Sequence, residues 1–127
     1  MRIIPIVAAL GLLSSASFSV AHESHSALGK NGGQVVEDGV HHVEFTATAT
    51  QVVLYLTEAS DARLATKGAT GRVIVQDGSA QAIADLTAAE PNQLTAKLAA
   101  PVKPGSKLVV SIKLADGHDV KASFVAK

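Results

Sequence analysis

The sequence predicts an all-β protein, an antiparallel immunoglobulin-like β-sandwich of Greek-key type with about seven to eight strands. Three observations lead there. From Gly33 onward, short segments rich in Val, Ile, Leu and Thr are separated by Gly, Pro, Asp and Asn. In the clearest segment, residues 107–114, the apolar Leu108, Val110, Ile112 and Leu114 alternate with Lys107, Ser111 and Lys113. That two-residue period gives a strand one dry face and one largely wet one. Asp-Gly pairs recur at Asp38-Gly39, Asp77-Gly78 and Asp116-Gly117 between such runs. Glycine accepts the positive φ of a tight turn, so each pair marks a hairpin and implies antiparallel neighbours.

Residues 1–21 combine an early charge at Arg2, an apolar run over residues 3–13 and a small-residue ending at Ser19-Val20-Ala21. This is the three-part pattern of a secretory signal peptide cleaved after Ala21. The apolar run holds Pro5 and yields to serines well before the ~20 residues needed to span a bilayer, so the mature protein is expected to be exported and to carry no membrane span. Cleavage leaves 106 of the 127 residues, enough for one domain and too few for two ordinary cores. Residues 22–32, "HESHSALGKNG", lack periodicity and apolar bulk and are expected to form a flexible arm carrying His22 and His25. Residues 33–127 form the sandwich.

Within it, strands are expected at about residues 34–37, 40–48, 51–57, 71–76, 80–86, 92–98, 107–114 and 118–126. Asn31-Gly32-Gly33 reads as a flexible entry to the first strand, with no helix after it to make a phosphate loop. Residues 58–70, "EASDARLATKGAT", are the longest connection, and residues 99–106, with Pro101 and Pro104, are another link outside strands. In the last hairpin Val120, Ala122 and Phe124 face one side, Asp119, Lys121 and Ser123 the other. Tyr55 is expected to pack its ring in the sandwich with its hydroxyl wet or bonded.

After loss of Arg2 the chain carries ten Lys or Arg against eleven Asp or Glu, and all five histidines. So balanced a charge argues against nucleic acid or an anionic membrane as the main partner. Cysteine is absent and the only methionine is Met1. Stability must therefore come from core packing, and a thiolate or thioether site for Cu(I) is excluded unless a partner supplies the ligands. Imidazole, carboxylate and a free amino terminus favour Cu(II), Zn(II), Ni(II) or Co(II).

The stretch "GVHHVEF", residues 39–45, holds the main candidates. Neighbouring strand side chains point to opposite faces. With Val43, Phe45 and Ala47 toward the core, His42, Glu44, Thr46 and Thr48 point outward and His41 lies at the core rim. His42 and Glu44 share a direction and can approach one ion, yet they also read as an exposed polar pair, and His41 as a rim histidine bonded to a carbonyl. A metal site needs about three or four protein ligands, so His22, His25 and His118 are the further candidates. As first residue after cleavage, His22 can offer its α-amine and imidazole together. His118 otherwise reads as a polar residue beside a hairpin turn. Metal affinity is expected to fall as pH drops through ~6.5, where free imidazole protonates. No nucleophile elbow or paired carboxylates appear, so an enzyme is not expected.

The runs "NGGQVVEDGVHHVEFT", "VVLYLTEASDARLATKGATGRVIV", "NQLTAKL" and "KLVVSIKLADGHDVKASF" resemble a family of small exported proteins of Gram-negative bacteria. They also resemble a module of the periplasmic adaptor subunits of heavy-metal efflux systems of the resistance-nodulation-division type. The likeness covers roughly residues 30–124, with Gly32, Gly33, Glu37, His41, His42 and Glu44 matching the pattern. Family members carry a histidine directly before the Gly-Gly pair, where this chain has Asn31, and have a more histidine-rich arm. The resemblance implies periplasmic residence and an association with metal handling. Two functions are thus expected: binding of Cu(II) or Zn(II) by a monomeric or weakly associating domain, for buffering or presentation to an efflux adaptor, or a non-metal module that docks onto another envelope protein by strand-edge pairing.

Overall fold

The computed structural model describes residues 28–127. The expected leader and the first part of the expected arm, with His22 and His25, lie outside them. Eight strands follow in order: β1 (Gln34–Asp38), β2 (His41–Ala47), β3 (Gln51–Glu58), β4 (Thr70–Asp77), β5 (Ala80–Ala89), β6 (Gln93–Lys97), β7 (Lys107–Lys113) and β8 (Asp119–Val125). No strand is missing from the sequence reading, and most boundaries agree within two residues; β5 runs three residues further.

The turns form where glycine permits them. Asp38 pairs with His41 and Asp77 with Ala80, leaving Gly39-Val40 and Gly78-Ser79 as two-residue loops. Gly39 and Gly78 have φ of 61° and 60°, and the residue after each has negative φ. Positive φ at the first loop position alone is the type II′ arrangement, whose twist matches that of the flanking strands. The β7–β8 connection is longer: Gly117 N donates to Leu114 O at 2.9 Å and Leu114 N to His118 O at 2.8 Å, with Gly117 at φ 92°.

All pairings are antiparallel and join the strands into one sheet of order β1-β2-β3-β6-β5-β4-β7-β8. The sequence predicted two stacked sheets; the ladders instead form a single sheet that curls until β1 and β8 face each other, a nearly closed barrel. An alternating strand suits either architecture, since each buries one face, and strand twist favours curling in a sheet this wide. The seam is joined by Lys121 N, which donates to Asp38 Oδ2 at 2.8 Å. One other opening exists. β5 pairs with β6 only over Thr87–Ala89, so residues 80–86 of β5 are paired on the β4 side alone.

The interior collects the inward residues of β2, β3, β4, β6, β7 and β8, among them Val43, Leu54, Leu56, Val73, Leu94, Leu108, Val110 and Val120, all without exposed surface. Phe45 and Phe124 meet across the seam at a ring separation of 5.2 Å. The β3–β4 connection runs back along β3, with Leu64 N donating to Leu56 O and Thr66 Oγ1 to Ala89 O. No helix long and apolar enough to cross a membrane occurs among the described residues.

Truncating Leu54 removes a fully buried side chain, so Leu54→Ala should lower stability by about 2–5 kcal/mol in urea unfolding. Ile83 is 59 % exposed, and Ile83→Ala should change it by no more than about 0.5 kcal/mol.

Candidate functional site

The candidate residues divide between the outer face of β2 and one rim of the barrel. On the outer face, the chain before β1 folds back over β2. Leu28 bridges to Gln34, Gly29 N donates to Gly33 O at 2.8 Å, and Gly32 N donates to Gly29 O at 3.0 Å. Beneath this turn lies Glu44. Its Oε1 accepts Asn31 N at 2.8 Å and Gly33 N at 2.9 Å, and its Oε2 accepts Asn31 Nδ2 at 3.0 Å. The fit leaves no room for larger residues: a β-carbon on Gly29 would overlap the Glu44 carboxylate, and one on Gly33 the Phe45 carbonyl.

Residues 28–32, expected in the flexible arm, are therefore a turn held by a carboxylate. Glu44 points away from the core as expected, but it is 7 % exposed rather than wet, because the turn covers it. Two backbone N–H groups, from Asn31 and Gly33 on either side of Gly32, converge on one carboxylate oxygen, much as backbone concavities bind anions. A metal role for this carboxylate would have to displace those donors. His42, two residues earlier on the same face, lies with Nε2 3.5 Å from Oε1 of Glu37, its cross-strand neighbour.

His41 points the other way, toward the end of the barrel. Its ring lies 6.4 Å from that of His118, with planes 59° apart. Sheet closure makes the meeting: His41 opens β2, and His118 ends the β7–β8 turn directly before the strand that faces β1. Asp116 organises the turn. Its Oδ1 accepts His118 N at 3.0 Å, and its Oδ2 lies 2.9 Å from His118 Nδ1. The carboxylate thus holds one ring nitrogen of His118 and leaves Nε2 as the outer one. Asp116 hydrogen-bonds and attracts the imidazolium, raising the His118 pKa above 6.5. The His118 backbone N–H, then its ring, hold Asp116 below the usual carboxylate value. Asp116 was not among the candidates read from sequence; the available signal was its two-residue offset from His118 across a glycine, the spacing of a side-chain-capped turn.

Of the six predicted metal ligands, the structure thus brings together His41 and His118. His42 is paired with Glu37, Glu44 is enclosed by the 28–33 turn, and His22 and His25 lie outside the described residues. Among the described residues no three His, Cys, Asp or Glu side chains converge as a metal-holding group. Tyr55 lies on the outer face, not inside the core, beside a shallow concavity of about 310 Å³ that it shares with Lys30, Asp61, Arg63 and Asn92. A broader hollow of about 670 Å³ over β4, β7 and β8 is lined by charges that largely pair off, Arg72 with Asp85 and Lys113 with Asp119.

Two outcomes follow from this geometry. Glu44→Ala strips acceptors from a buried Gly33 N–H and from Asn31, and should cost roughly 2–4 kcal/mol in urea unfolding; His42→Ala, which loses a 3.5 Å pair to a largely exposed Glu37, should cost under about 1 kcal/mol. By NMR, the His118 ring should titrate above 6.5 and move downward in Asp116→Asn. Because the folded pKa lies above the unfolded one, the stability contributed by His118 is complete below about 6.5 and fades as pH rises through the raised value.

No protein-family model, curated protein or solved structure matches the chain.

Proposed function

We propose that this chain is an exported domain that binds a divalent transition-metal ion, Cu(II) or Zn(II), at the rim where His41 and His118 meet. The observation that carries this reading is the pair of imidazoles 6.4 Å apart, one of them with Nδ1 held by a carboxylate. Metal-ligating histidines commonly donate their second ring nitrogen to such a group, which sets the tautomer and aims the other nitrogen at the ion. For both nitrogens to lie ~2.0–2.1 Å from one ion, the rings, 6.4 Å apart at their centroids, would have to draw closer, and the exposed His118 side chain is the one with room to move.

The donor chemistry agrees. With no cysteine and no methionine beyond Met1, imidazole nitrogen is the softest donor on offer, which suits Cu(II) and Zn(II). Two imidazoles form an incomplete set, and His22 or His25, with the amine that cleavage after Ala21 would free, supplies the rest. Binding of this kind suits a buffer, or a carrier that presents its ion to an efflux adaptor, because an ion held partly by a recruited tail is easily passed on.

Calorimetric titration of untagged protein beginning at His22 with Cu(II) and Zn(II) tests the reading. His41→Ala and His118→Ala should each weaken binding by at least about tenfold, and Asp116→Asn by about tenfold through the ring it orients. His42→Ala and Glu44→Gln should leave affinity near wild type. Wild-type uptake no tighter than that of a simple histidine peptide, or losses confined to the His42 and Glu44 variants, would overturn the assignment.

A further inference from the structure

Among the described residues, the parting of β5 from β6 leaves an open strand edge in a sheet that is otherwise paired or closed upon itself. Within the β4–β5 hairpin, Asp77 pairs with Ala80 around a two-residue loop. The closing pair of such a loop exchanges both of its hydrogen bonds, and bonding alternates from there along the ladder. Ala80, Ala82 and Ala84 therefore turn their backbone groups toward β4, while Gln81, Ile83 and Asp85 turn theirs outward. β6 takes up pairing only at Thr87–Ala89, and among the described residues no loop backbone bonds to residues 81–85. Three N–H and three C=O groups thus face outward along one edge.

The edge lacks the usual safeguards. Natural edge strands are blunted by lysine, proline, bulges or a covering loop. Here residues 79–86 read Ser-Ala-Gln-Ala-Ile-Ala-Asp-Leu, with no lysine or proline, and Ile83 stands 59 % exposed at the centre. Beside the edge, the space opened between β5 and the 98–103 segment, about 240 Å³, is lined by Ala80, Ala82, Leu98, Ala99, Pro101 and Lys103, the last held 3.4 Å from Asp77. Among the described residues nothing pairs with this edge.

We propose that two copies of this chain associate through this edge, β5 against β5, antiparallel about a twofold axis at Ile83. The sequence is self-complementary in that register. Ile83 meets Ile83 of the second copy, Gln81 meets Asp85, and the small Ala82 meets Ala84. All three outward-facing residues find hydrogen-bonding partners, six bonds in all. The exposed isoleucines cover each other, and the Gln81 amide can donate to the Asp85 carboxylate with no like charges opposed. A mature chain with ten basic residues against eleven acidic ones offers little long-range repulsion to set against this contact. The Lys107 end of β7 pairs with β4 beside the β4–β5 turn, whereas Lys113 pairs with Thr70 at the histidine end. Association would therefore leave the His41–His118 rim uncovered.

The absence of cysteine makes the register directly testable. Sedimentation equilibrium of the purified protein from about 10 μM to 1 mM should show a reversible doubling of mass, and Ile83→Lys should weaken self-association by at least about tenfold with unchanged thermal unfolding. Under mild oxidation Ile83→Cys should form a covalent dimer, since directly opposed residues in a hydrogen-bonded pair lie about 5.5 Å apart at Cα, within disulfide reach. Gln81→Cys alone should not, while mixing it with Asp85→Cys should. A single monomeric species across that range overturns the proposal and leaves the edge to a strand of another protein. Crosslinking of Gln81→Cys as readily as Ile83→Cys overturns the register and with it the argument.

Discussion

Closure of the sheet is the constraint on which the rest of this structure depends. Each strand has one apolar face, and a single sheet can bury all of those faces only by curling until its first and last strands meet. Across that seam Phe45 of β2 stacks near Phe124 of β8, and the main chain of β8 donates to Asp38 at the end of β1. Polar bonding at the seam is sparse, so the shared interior does most of the holding. The same closure carries the start of β2 to the turn before β8, which is how His41 and His118 become neighbours. A side-chain constellation at the rim is thus a consequence of core packing.

β2 shows how one strand serves two purposes. Outward, Glu44 acts as an internal anion for the preceding turn, gathering the Asn31 and Gly33 N–H groups. A buried carboxylate is costly unless its oxygens are satisfied, and here three donors satisfy it. Inward and at the end, His41 remains beside solvent, where its ring is free to act. The alternation of side chains along the strand separates these roles without any change in backbone. Asp116 repeats the theme at the rim, because its two oxygens cap its own turn and hold the His118 ring.

The half of β5 that no described strand pairs on its outer edge lies toward the opposite end of the sheet from the histidine rim, as the β4 and β7 register shows. Strand pairing there and ion binding at the rim make no competing demands on the same residues. The two ends also differ in chemistry. One offers imidazole and carboxylate, the other alanines, an isoleucine and unpaired backbone.

From its residues alone, this chain determined its strands, the faces of those strands and its hairpins, because each depends on a few adjacent residues. Leu108, Val110 and Ile112 face inward as their alternation requires, and Gly39, Gly78 and Gly117 turn the chain with positive φ. The opposite directions of His41 and His42 were legible for the same reason. Tertiary structure alone decided that the strands form one curled sheet, that the 28–33 turn covers Glu44, and that His41 meets His118 beside Asp116. Alternation is a local property that a sandwich and a barrel share, whereas these meetings depend on which distant strands pair, and that choice belongs to the packing of the whole core.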